Sequence, residues 1–415
     1  MTFRRRGFSR RRTRFSSMTG SVFTWEAAER RGTGSCKWDD APSLFGVPDI
    51  LPLWVADMDF PAPPAVLDAL RRNLDHGVLG YPSARQDGAA RALAGWISRR
   101  FSWEVPPRDI VLAPGVVPSL KAAIDAFTDP GDGILIQTPV YHPFLDLARN
   151  HGRRLVENPL VHGEDGWRMD LEGLEEGARQ AKALILCSPH NPVGRVWRRE
   201  EITAVSEICS RHDVLVLSDE IHADLVFRPS VHIPFALAGG SAARRALTFV
   251  APSKTFNIAG LNASAVVIPD PTRRKAFTGR FRDLGVSRTS VPGLVALEAA
   301  YDHGDEWLES LLVQLAGNAA FLEDAVRARL PPLRLRRPEA TYLAWIDCRG
   351  LDLAEAEIER LFVKEAKVGL NRGGMFGAPG VGWMRLNFGT SRALVEEAVD
   401  RIEGALVRCL HGNEH

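Results

Sequence analysis

"VLVLSDE", residues 214–220, is four apolar residues followed by three polar ones. A run with so little polar alternation suits a strand buried on both faces of a mostly parallel sheet. The same form recurs nearby. "DIVLAP" (109–114) precedes the helix-like "SLKAAIDAF" (119–127), and "GILIQTP" (133–139) leads into "YHPFLDLARNHG". "ALILCSPHNP" (183–192) precedes "RREEITAVSEICSRHD", in which Ile202, Val205, Ile208 and Cys209 share one face, and "ALTFVAPSK" (246–254) completes the series. Strands alternating with helices predict an α/β fold with helices covering a central sheet.

Each strand ends in polar, proline or glycine residues: Pro114-Gly115, Thr138-Pro139, Ser188 to Asn191, Ser218-Asp219 and Ser253-Lys254. In open α/β sheets ligands sit beyond the carboxyl ends of the strands. The pattern therefore delivers an amide, a carboxylate and an amine to one edge. The amine stands out because the chain has seven lysines against 45 arginines. Arginine supplies ordinary surface charge here but cannot serve as an amine nucleophile, whereas lysine can.

The remaining composition narrows the class. At 415 residues, two domains and a core able to shield a cofactor are expected. A formal charge of +1 gives the whole chain no bias toward nucleic acid or membranes. Residues 1–17 hold seven arginines and no acid; they read as a basic, disordered tail lacking the apolar residues needed to fold. Five scattered cysteines with no CxxC support neither a disulfide scaffold nor a zinc site, and no apolar run is long enough to span a membrane. A cytoplasmic enzyme without a metal is expected. "YLAWIDCRG" (342–350) predicts a strand, and "SRALVEEAVDRIEGALVRCL" (391–410) an amphipathic helix capped by Ser391. The expected division is 18–55 packing with a smaller α+β domain at 305–415, and a larger ligand-binding domain at 56–304.

An amine, a carboxylate and an amide at one edge match the needs of pyridoxal phosphate. Its aldehyde requires a lysine, and its ring nitrogen requires a buried carboxylate to stay protonated. Its phenolic oxygen requires a donor, its phosphate requires backbone N–H groups near a helix start, and its ring face favours an aromatic neighbour. Lys254, Asp219, Asn191, the Gly115-Val116-Val117 turn and Tyr141 supply these in turn.

The motifs "SPHNPVG" (188–194), "LSDEIHADLVF" (217–227), "SKTFNIAGL" (253–261) and "MRLNFGTSR" (384–392) together resemble the fold-type I, class I/II aminotransferase superfamily. "LPLWVADMDFPAPPAV" (51–66), "HGVLGYPS" (76–83), "TPVYHPF" (138–144) and "TYLAWID" (341–347) are similar to its MalY/PatB branch of carbon–sulfur β-lyases. The resemblance implies Lys254 as the covalent cofactor lysine and proton carrier, Asp219 on the pyridine nitrogen, and Asn191 and His222 near the phenolic oxygen. It implies Tyr141 stacked on the ring, Gly115, Val116 and Ser253 on the phosphate, and Arg385 on the substrate α-carboxylate. Tyr81 would reach the phosphate of a neighbouring subunit, which implies a homodimer. Two positions depart from the aminotransferase pattern: Ala251 replaces a hydroxyl residue and Asn262 an arginine, so a weaker phosphate grip is expected.

The activity implied is α,β-elimination on cystathionine or another S-substituted L-cysteine. Transamination is the alternative, because it shares the first steps. A regulatory protein on the same fold is a third, disfavoured by the presence of both Lys254 and Asp219. Pocket walls are expected from residues 33–60, 281–292 and 371–380. Asp57, Asp59, His190, Trp54 and Trp345 are expected to have structural roles only.

Overall fold

The computed structural model describes residues 23–83, 87–285 and 289–412, and the arginine-rich stretch 1–17 lies outside them. Seven strands form the central sheet: β1 (Ile110–Ala113), β2 (Gly133–Ile136), β3 (Arg154–Glu157), β4 (Ala183–Cys187), β5 (Leu215–Asp219), β6 (Leu247–Val250) and β7 (Ser264–Val267). Their order is β1-β7-β6-β5-β4-β2-β3. β7 runs antiparallel to both neighbours, and the other pairs are parallel. The α/β class expected from the alternating runs is the one observed.

The unbroken apolar runs have the predicted cause. Successive strand side chains point to opposite faces. In β5, Leu215 and Leu217 join the apolar cluster of Leu120 and Ile124 from helix α1 (Val116–Phe127). Val216, between them, joins Ile202 and Val205 of a helix on the other face. Both faces are covered, so every position must be apolar until the strand ends. Truncating Leu217, fully buried, to alanine would cost about 2–5 kcal/mol by the usual cavity penalty.

In chain order after α1 come helix α2 (Pro143–Arg149) and helix α3 (Arg199–Arg211). Ile202, Val205, Ile208 and Cys209 form the buried stripe of α3, as the helical spacing predicts. Strands β8 (Arg334–Leu335), β9 (Leu343–Asp347), β10 (Asn371–Arg372) and β11 (Trp383–Asn387) build a separate antiparallel sheet in the order β8-β9-β11-β10. Helices α4 (Asp305–Arg329) and α5 (Arg392–Gly412) cover it through Leu311, Leu315, Val395 and Val399. The Ser391 hydroxyl accepts from the Leu394 N–H at 3.4 Å, the cap read from the sequence. Leu51–Pro52 pairs in parallel with Val368–Gly369 in a separate two-stranded sheet, which ties the N-terminal segment to the C-terminal part of the chain. Among the described residues no helix is long and apolar enough to cross a membrane.

Candidate active site

β6 ends at Val250, and Pro252–Thr255 forms a single helical turn with proline at its start. Proline suits that position, where its missing N–H is no loss. The turn is held from beneath. The Thr255 hydroxyl donates to Asp224 at 2.9 Å, and the Trp96 indole donates to the other oxygen of that carboxylate at 2.9 Å. Lys254, partly buried, projects into a cavity of about 350 Å³. Its amine donates to the Ala56 carbonyl at 2.7 Å, and the Tyr342 hydroxyl donates to the same oxygen at 2.9 Å. Burial pulls the Lys254 amine down to about 8; Asp57 opposes that shift, Arg385 adds to it, and Asp219 opposes it.

The Ala56 carbonyl is itself anchored. Asn257 accepts from the Met58 N–H at 3.0 Å and donates to the Met58 and Phe60 carbonyls at 2.8 and 2.7 Å. Beside it, Asp59 is fully buried between Lys37 at 2.7 Å and Arg30 at 2.9 Å, with the Trp38 indole donating at 2.9 Å. Arg30 also clamps Asp57 at 2.7 Å. Asp59 therefore orders a loop, as the sequence reading has it. Asp57 does more, because its charge reaches Lys254.

Asp219 closes β5, on the same cavity and on the same face as Leu215 and Leu217. Its carboxylate accepts the Ile221 N–H at 3.1 Å and, among the described residues, forms no ion pair. Burial pushes it up to about 7, despite that hydrogen bond and with Glu220 adding to the rise. Glu220 is satisfied elsewhere by His232 at 2.9 Å and by the Phe235 N–H at 2.9 Å. His222 also lines the cavity, its Nδ1 buried without a partner, and burial holds it down to about 3.

Arg385, 4 % exposed, comes from β11 of the other sheet. It donates to Asn191 Oδ1 at 3.2 Å, to the Trp54 carbonyl at 2.8 Å and to Asn371 Oδ1 at 2.8 Å. Every acceptor is neutral, Nε is buried without a partner, and burial lowers the group to about 10, which leaves it charged at neutral pH. The bond to Asn191 Oδ1 leaves that amide's NH₂ for the cavity.

At the far wall, Gly115, Val116 and Val117 begin α1. The first N–H groups of a helix have no internal acceptor and attract anions. Ser253, Ala251 and Asn262 line the same cavity, so both departures from the aminotransferase pattern fall on it. Tyr141 lines it too, with an N–H bonded to the Asn191 carbonyl at 3.0 Å. Tyr81 does not; it is 89 % exposed in the single chain.

Some readings need correction. Trp54, expected only to fill space, forms part of the cavity wall and offers its carbonyl to Arg385. His190 keeps the structural role expected of it: it is fully buried and bonds the Pro139 carbonyl at 2.8 Å in the loop that carries Asn191. Of the expected walls, 54–56 and Asn371 contribute, whereas the described residues of 281–292 do not. His142, Ile221 and Cys187 line the cavity without having been singled out. His142 directly follows Tyr141, which is the one signal that could have found it.

The donor set fits pyridoxal phosphate: an amine held below its usual range, a buried carboxylate with no cation, free amide and backbone donors, and an aromatic wall. The class I and II aminotransferase family matches residues 48–402. The chain is 42% identical over 380 residues to cystathionine beta-lyase PatB of Bacillus subtilis, covering 91% of this chain and 98% of that protein. It is 33% identical over 385 residues to the protein MalY of Escherichia coli, covering 92% and 98%. Its fold superposes on that of cystalysin from Treponema denticola, which contains a pyridoxal 5'-phosphate cofactor, with a TM-score of 0.89, 33% identity and coverage of 94% and 100%. The chain belongs to the class I and II aminotransferase family of pyridoxal-phosphate enzymes, on the branch that holds PatB and MalY.

Proposed function

We propose that this enzyme is a carbon–sulfur β-lyase that converts L-cystathionine or another S-substituted L-cysteine, with water, into a thiol, pyruvate and ammonia. One observation carries the reading. Among the described residues, a buried arginine with no anionic partner and a buried aspartate with no cationic partner face one cavity, with a lysine on its wall whose amine burial holds below its usual range. Such a cavity awaits a carboxylate for Arg385 and a cationic nitrogen for Asp219.

Pyridoxal phosphate, when bound, supplies an electron sink for the Cα–H bond electrons. The protein's share follows from its own groups. Lys254 would hold the cofactor through its aldehyde, and its Nζ in the neutral form would accept the substrate Cα proton. Asp219 would hold a proton on the ring nitrogen as a buried, charge-assisted partner. Arg385 fixes the α-carboxylate, Nε being its unused donor. Asn191 and His222 would meet the phenolic oxygen, Tyr141 the ring, and Gly115, Val116 and Ser253 the phosphate, since all of them line the cavity. Loss of the β-thiolate completes the elimination.

The assignment of Tyr81 to a neighbouring subunit's phosphate, and with it a homodimer, belongs to the same proposal, and its exposure in the single chain supports it. So does the division into a cofactor-binding unit at 56–304 and a smaller unit of 18–55 with 305–415, supported by the Leu51–Pro52 pairing with Val368–Gly369. Five free cysteines fit a reducing compartment such as the cytoplasm.

The test is stoichiometric. Holoenzyme given S-ethyl-L-cysteine should release ethanethiol and ammonia in equal amounts with no keto acid added. Product formation that requires an added keto acid would establish an aminotransferase instead.

A further inference from the structure

The residues that follow Lys254 are each locked to a different part of the protein. Thr255, fully buried, donates its hydroxyl to Asp224 at 2.9 Å. Phe256, also fully buried, meets the Trp96 indole edge-on with ring centroids 5.5 Å apart, and it lies so close to Gly304 that a Cβ there would collide with its ring. Asn257 donates to the Met58 and Phe60 carbonyls, on the segment that offers the Ala56 carbonyl to the Lys254 amine. Asp224 joins the first two locks, because its other oxygen accepts from the Trp96 indole at 2.9 Å. Trp96 in turn belongs to the helix Asp87–Phe101.

Asp224 also relates the lysine to the acid. Asp219 and Asp224 bound one short segment, tightened by the Ala223 N–H on the Glu220 carbonyl at 2.9 Å and the Leu225 N–H on the His222 carbonyl at 3.0 Å. The Leu225 carbonyl accepts the Thr341 N–H at 2.7 Å, and Tyr342, next in the chain, donates to the same Ala56 oxygen as Lys254. A carboxylate only accepts hydrogen bonds, so its two oxygens direct both donors toward it. Buried as Asp224 is, losing either donor is costly. The charges that shift the Lys254 amine belong to Asp57, Arg385 and Asp219. Asp224 therefore acts on the lysine through its place and not through its charge.

We propose that Asp224 is a positioning residue: through the Thr255 hydroxyl it sets where the Lys254 amine stands relative to Asp219. The proposal rests on Lys254 as the lysine that takes the cofactor, and it holds whichever reaction follows. Elimination and transamination both begin from that lysine.

Capture of pyridoxal phosphate by the apoprotein reads the lysine's position directly. Absorbance gives the rate, and borohydride reduction followed by mass spectrometry shows that the bond is covalent. Thr255→Val keeps the shape of the side chain and removes the hydroxyl. Its plateau rate at high pH should fall at least ~10-fold, since a reacting group displaced by about 1 Å can lose ~100-fold. The pH at which the plateau begins should not move, because no charge near the amine has changed. Thr255→Ser should restore most of the rate, and Asp224→Asn, which turns one acceptor into a donor, should slow capture as Thr255→Val does. A Thr255→Val protein that melts at a lower temperature but captures at the native rate would overturn the proposal. So would a loss that Thr255→Ser does not repair, or a plateau of unchanged height that begins at a different pH. Covalent capture that survives in Lys254→Ala would overturn the cofactor reading, and this proposal with it.

Discussion

Lys254 and Asp219 line the same cavity yet form no ion pair with each other; the lysine donates to the Ala56 carbonyl at 2.7 Å instead. Each is shifted toward its neutral form by burial, the amine to about 8 and the carboxyl to about 7. A cofactor with an aldehyde for the amine and a basic nitrogen for the carboxyl would engage both groups from within that one cavity.

The shift at Asp219 has a thermodynamic consequence in the cofactor-free protein. Its folded value, about 7, lies above the unfolded value of about 3.9. Between those pH values the folded state binds the extra proton, so stability falls as pH rises through this window and is level above it. Asp219→Asn should remove this slope, and the variant apoprotein should melt at a higher temperature than the native one at pH 8. The same substitution should weaken cofactor affinity. Parallel melting curves across pH 4–8 would contradict the assignment.

Lys254 must be neutral to attack an aldehyde. Capture of pyridoxal phosphate by the apoprotein, followed by absorbance, should therefore accelerate about tenfold per pH unit below about 8 and flatten above it. Asp57→Asn removes a charge that favours the ammonium, so the plateau should begin at lower pH. An unchanged profile in that variant would remove Asp57 from the account.

Arg385→Lys keeps the charge but loses the planar fork. KM for cysteine conjugates should rise by roughly 10- to 100-fold, the scale of a lost charge-assisted pair. Steady-state kinetics with S-ethyl-L-cysteine would show it. A fall in kcat with KM unchanged would place the guanidinium's role elsewhere.

Lys37 is fully buried against Asp59 at 2.7 Å. Lys37→Met would leave a buried carboxylate with Arg30 as its only cationic partner among the described residues, at a cost of about 3–5 kcal/mol. Chemical denaturation should detect the loss, and a loss below 1 kcal/mol would mean that Asp59 finds another partner.

Lys37 also shows how far the sequence could be read. Rarity alone does not separate the lysines, since most of the seven, such as Lys182 and Lys275, are exposed while Lys37 is buried for a structural reason; position after a strand end marks Lys254 as the reactive one. Asp219, Asn191 and the Gly115 turn were legible for the same reason, since parallel strands release their polar ends on one edge. Trp54 and Asn371 were legible only as members of the wall segments 33–60 and 371–380, not as individual residues. They reach the cavity from a segment and a strand remote in sequence, through partners such as Arg385, and no local pattern marks such a contact. His142 was hidden differently: it follows Tyr141 on a short helix whose outward face is visible only once the glycine-rich segment is in place.

The most direct test is pyruvate release from L-cystathionine by the holoenzyme without a keto acid, measured with coupled lactate dehydrogenase. The account predicts many turnovers in the native protein and a loss of at least ~100-fold in Lys254→Ala, the scale of a missing general base. No pyruvate from the native enzyme, with amino-group transfer to a supplied keto acid, would contradict it.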